Sequence, residues 1–117
     1  MSLLGLWAKA FLVTFALEAP IAGYLFRAEE PSVARRLTLV LFANLVTHPA
    51  VWFLFPLLPI DPYVALASSE AWAVVLEAWF YAVVFRAPIV RAGGISALCN
   101  GSSFAAGLVL HSATGWL

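Results

Sequence analysis

Charge is scarce in this sequence. Charged residues make up 10% of its 117 positions, six basic against six acidic, for a formal net charge of zero. A soluble chain of this size leaves much of its surface in water and needs more charge than this to stay dispersed. There is no basic patch, so nucleic acid is excluded as a partner. A single cysteine, Cys99, rules out an internal disulfide and offers no redox pair. Catalytic signatures are missing as well. There is no H-E-x-x-H helix, no adjacent Glu–Glu pair with a second histidine at matching depth, and no sequence-coded serine triad. Nor is there a haem, nucleotide or flavin motif, or an internal repeat of the kind that marks inverted-repeat transporters.

What the chain has in abundance is hydrophobic length. Hydrophobic residues reach 64%, and mean hydropathy is +0.99. They fall into four runs, at about residues 3–26, 37–58, 63–85 and 95–116. Each matches the roughly 20 residues that cross a hydrocarbon core. Lipid offers the backbone no hydrogen-bond partner, so the runs are expected to be helices. The expected fold is an all-α integral membrane protein, a single domain forming a four-transmembrane-helix bundle with short connections at 27–36, 59–62 and 86–94. Arg27, Arg35 and Arg36 lie in the first connection and Arg86 and Arg91 in the third, whereas the second carries only Asp61. The excess of arginine places the first and third connections in the cytoplasm and both termini outside, in a bacterial or archaeal cytoplasmic membrane. Lys9 is a modest contrary signal.

Within these runs lie polar residues that lipid would penalise. At about 1.5 Å per helical residue, Glu18, Asn44, Glu77 and Asn100 fall at similar depth, one from each helix, with His48 and Glu70 nearer the termini. A carboxylate at the bilayer centre costs on the order of 3 kcal/mol, so Glu18, Glu70 and Glu77 must be protonated, paired, hydrated or metal-bound. No Lys or Arg shares their depth, which leaves His48 or a bound ion as the expected cationic partner. Glu18, His48, Glu70 and Glu77 are therefore the expected ion- or proton-binding residues. Asn44, Asn100, Thr47 and Tyr81 are expected to orient them. A divalent metal, if one is used as cofactor, would take His48, Glu70 and Glu77 as ligands. The packing alternative has Asn44 and Asn100 joining two helices by their amides.

Two features should shape the bundle around this layer. Pro20 and Pro49 leave the carbonyls of Ala16 and Leu45 without their helical donors and are expected to kink their helices. On the fourth run, Ala97, Gly101 and Ala105, and likewise Ser103 and Gly107, repeat at four-residue spacing. These small residues are expected to be packing contacts, within the bundle or in a homodimer or larger membrane complex surrounded by lipid. Three functions compete on this reading. The first is an intramembrane carboxylate/histidine site that binds or conducts protons or cations. The others are a metal-dependent intramembrane enzyme acting on lipid or peptide, and a structural helper subunit whose polar layer only specifies packing.

Overall fold

The computed structural model describes residues 2–115. Its helices are α1 (Leu3–Leu25), α2 (Val33–Phe53), α3 (Pro62–Val84) and α4 (Ile89–Thr114), with a 3₁₀ turn at Phe55–Leu57 between α2 and α3. The starts of α1, α2 and α3 have local causes. Ser2 and Ser32 cap α1 and α2 by accepting from the amides of Gly5 and Arg35. Asp61 accepts from Tyr63 and Val64, and Pro62 fills the first helical position, where a missing N–H costs nothing. At the far end of α4, Gly115 takes the left-handed conformation of a helix stop, with φ 64°.

α2 ends at Phe53, short of residue 58, where the 3₁₀ turn takes over, and two helix starts differ from hydropathy for one reason. α2 begins at Val33 rather than residue 37, and α4 at Ile89 rather than 95. Arg35, Arg36 and Arg91 lie inside helices whose first turns extend beyond the apolar stretch. Helical hydrogen bonds form in the headgroup region as readily as in lipid, and arginine's long stem carries its charge outward. The third connection is correspondingly tight, and Arg86 adopts a positive φ of 53° to make the turn. α1 and α2 run on through Pro20 and Pro49. The end of the expected fourth run includes Trp116, which lies outside the described residues.

The helices form a closed square. Each packs on its sequence neighbours, and α1 against α4 completes the ring; helices across the diagonal do not pack on each other. The long axis measures 39 Å, about the thickness of a bilayer with its headgroups. Side-chain sizes are distributed inside out. The interior is built of Ala, Ser, Asn, Thr and Glu, while Leu12, Phe42, Val75, Trp79 and Leu98 are exposed. So extensive an apolar surface marks a protein whose solvent is itself apolar. Three helical segments, Leu3–Leu25, Val33–Leu57 and Ile89–Thr114, are long and apolar enough to cross a membrane. α3 has the length, 23 residues, but its two glutamates lower its hydropathy. This is an all-α protein consistent with a helical membrane bundle.

The bundle's two ends are built differently. At the end bearing the first and third connections, Phe26 stacks on Phe85 with centroids 4.2 Å apart, and Tyr81 leans on both. Ala22, Val40, Ile95 and Cys99 complete this tightly packed plug. Outside it, Arg91 donates to Glu29 at 2.6 Å and to the Leu25 carbonyl, tying the end of α1 to the start of α4. The α4 small residues divide between two faces: Ser103 and Gly107 face the interior. Ala97, Gly101 and Ala105 lie on the bundle's outer face, and a Cβ placed on Gly101 would meet nothing.

Two outcomes follow from this packing. Gly101→Leu leaves the thermal midpoint of the monomer in detergent unchanged, whereas Ala22→Leu, at a fully buried position, costs about 1–3 kcal/mol. Equal losses would show that the outer face of α4 is packed. Separately, Arg91 holds the Glu29 carboxyl below its usual range through their hydrogen bond. A depressed carboxylate stabilises the fold above its unfolded pKa, and that contribution disappears as pH falls through the lowered value. The difference in thermal stability between the parent and Glu29→Gln is therefore complete at neutral pH and closes below about pH 4. At the rim of the bundle it is small and weakened by salt. A difference that persists in acid would mean that the carboxylate does not supply it.

Candidate functional site

Side chains from all four helices meet on the bundle axis. From α1, Glu18 is fully buried, and from α3, Glu77 is 1% exposed. Their carboxyl groups lie close enough across the diagonal to feel each other's charge. Two ionised carboxylates so placed repel each other, an arrangement that a proton on one of them relieves. The remaining valences are filled by short polar side chains. Ser103 donates to Glu18 Oε2 at 3.0 Å, and Asn44 stands within reach of the same carboxyl. Thr47 lies 2.8 Å from Glu77 Oε2, and Asn100 Nδ2 donates to Glu77 Oε1 at 3.2 Å. Glu18 Oε1 has no hydrogen-bond partner among the described residues.

The hydroxyls of Thr47 and Ser103 also reach the carbonyls of Ala43 and Asn100, at 3.1 and 3.2 Å. A hydroxyl has one proton and two lone pairs. It can donate to the carboxylate, or donate to the backbone and accept from a protonated carboxyl. This shell therefore satisfies either protonation state without moving a backbone.

His48 is placed apart from this pair. Its Nε2 lies 3.3 Å from Thr14 Oγ1, and its ring sits among Trp7, Phe11 and Trp52. Its Nδ1 is buried without a partner among the described residues. The expected direct pairing of histidine with carboxylate is replaced by this aromatic enclosure. Glu70 is half-buried and forms no hydrogen bond or ion pair among the described residues. Tyr81, expected to orient the acids, lies beside them with its hydroxyl unpartnered. Asn44 and Asn100 do not join each other: Asn44 donates to the Val40 carbonyl at 2.9 Å, and Asn100 donates to Glu77.

A cavity of about 390 Å³ links most of these residues. Its floor is Asn44, Thr47, Glu77 and Asn100, and its walls pass His48, Glu70 and Gly107 to Trp52, Pro56, Leu108 and His111 near the end holding the termini. Beneath the floor begins the aromatic plug. The expected metal ligands His48, Glu70 and Glu77 all line the cavity, but among the described residues no three His, Cys, Asp or Glu side chains gather into a metal-holding group.

Sequence reasoning missed Thr14 and Ser96. Ser96 is fully buried, donates to the Val74 carbonyl and accepts from Asn100. Its signal was available, since Ser96, Asn100 and Ser103 lie four and three apart on one helical face. Thr14 had no such signal, because its partner is on another helix.

A buried hydroxyl without a partner costs about 1–3 kcal/mol. Tyr81→Phe removes that penalty while keeping the ring in the plug, so the thermal midpoint rises or stays level. A clear fall would reveal a partner for the hydroxyl. In comparison with known proteins, no family model, no curated protein and no solved structure matches this chain.

Proposed function

We propose that this is a four-transmembrane-helix protein that binds and exchanges a proton on the Glu18–Glu77 pair. The observation that carries the reading is the placement of two buried carboxyls near each other on the bundle axis, inside a shell that tolerates either protonation state. α3 crosses with its partners because its acids face inward while Val75, Trp79 and Val83 face outward. Carboxyl groups at bilayer depth are expensive unless neutralised or paired, so each is expected to have a use. The cavity gives water access from the end holding the termini, and the plug closes the other end. By the arginine distribution, the mouth is extracytoplasmic. Open conduction does not fit a path blocked by stacked rings, so the site is read as one that binds and releases.

Infrared spectroscopy of the protein in nanodiscs tests this. A protonated-carboxyl carbonyl band is expected near neutral pH. It is altered in Glu18→Gln and in Glu77→Gln, with a non-additive double variant. Transfer to heavy water shifts the band within seconds, and Gly107→Leu, which fills the cavity, delays the shift at least tenfold. Purely structural packing predicts a band that resists exchange for hours, and that result would reject the proposal.

A further inference from the structure

We infer that the cavity above the carboxyl pair binds a small lipophilic amine in its protonated form, with Glu70 as its counter-charge. This deepens the proposed function, since it assigns a ligand to the same cavity. Four observations support it. First, about 390 Å³ lies at the small end of ligand cavities and suits a one- or two-ring molecule. Second, the lining is largely apolar and includes the rings of Trp52 and Phe104, surfaces that attract both an apolar body and a cation.

Third, Glu70 stands on the wall half-buried and without a hydrogen-bonding or ionic partner among the described residues. Glu77 meets its needs through Thr47 and Asn100; Glu70 has no such shell. No Lys or Arg lines the cavity, so an anion would meet two carboxyl groups there and no fixed positive charge to receive it. Fourth, Glu70 and Asn100 also line a groove of about 350 Å³ between α3 and α4, beside Gly101. Glu70 thus stands where the cavity meets an apolar side surface, a position suited to a ligand whose body partitions into lipid and whose head is charged. An ammonium group donates hydrogen bonds and carries the charge that complements this carboxylate.

The test uses 1-naphthylmethylamine, the neutral 1-naphthylmethanol and the anionic 1-naphthylacetate. Each is titrated calorimetrically into the full chain in nanodiscs, with empty nanodiscs subtracted. The amine is expected to bind saturably, one per chain, at least tenfold tighter than the alcohol, and the acid not at all. Glu70→Gln removes the preference for amine over alcohol, Glu70→Asp retains it, and Gly107→Leu abolishes saturable binding of both. Non-saturable partitioning, equal affinity for amine and alcohol, or an amine preference that survives Glu70→Gln overturns the inference. The infrared band of the carboxyl pair is recorded on the same samples. An intact, exchanging band without amine binding defeats this inference alone, whereas loss of the band defeats the proton-binding reading beneath it.

Discussion

Glu18 and Glu77 bring two buried carboxyls near each other across a diagonal on which their helices do not pack, and this constrains the interior around them. Carboxyl groups on opposite corners of a square bundle come near each other only if the four helices stand close. Close approach in turn requires small neighbours, and Ala19, Ala22, Ala43, Ala73 and Ala78 supply them. In lipid the hydrophobic effect gives no reward for bringing Leu against Leu, since the tails are equally apolar. Cohesion must come from backbone proximity, dispersion and hydrogen bonds between helices. The two carboxyls supply such bonds: Ser103 and Asn100 donate from α4, and Thr47 from α2. The polar centre is thus both the candidate site and a fastening, and variants at these positions need readouts that separate the two roles.

The inside-out distribution of size follows from the same constraint. Large apolar side chains have no place near the axis and go to the surface, where they meet lipid. The one interior region with large rings is the plug formed by Phe26, Tyr81 and Phe85. Rings fill the space there because the polar groups end at Glu77, one helical turn before Tyr81. An unpartnered Tyr81 hydroxyl marks the boundary between a hydrogen-bonded layer and one held by ring contacts.

Much of this was legible in the sequence because a membrane imposes strong and simple rules. Length and hydropathy located the helices, and rise per residue brought Glu18, Asn44, Glu77 and Asn100 to one depth without any coordinates. Two kinds of information were not legible. Helix ends at the headgroups are set by capping and arginine stems rather than hydropathy, which is why α4 begins at Ile89. Lateral direction was the other. Depth places His48 near the acids, but only the rotation of α2 decides whether its ring faces them or Thr14 and the tryptophans. The α4 small residues were open in the same way, because four-residue spacing identifies a face without saying what that face meets.

The placement of His48 has a consequence for how the site can work. A histidine in contact with the pair could carry its charge and hold both carboxyls ionised. The Nε2 of His48 instead lies beside the Thr14 hydroxyl, with Trp7, Phe11 and Trp52 around the ring, and it forms no ion pair with a carboxylate among the described residues. In the proposed function the pair is therefore neutralised by its own proton or by a cation arriving through the cavity. Those two are alternatives at one place: a cation close to the carboxyls favours ionisation, and a retained proton removes the charge that attracts the cation. Glu70 lies along the route to that place. Competition between proton and cation thus arises from the geometry itself, without a conformational change to connect them.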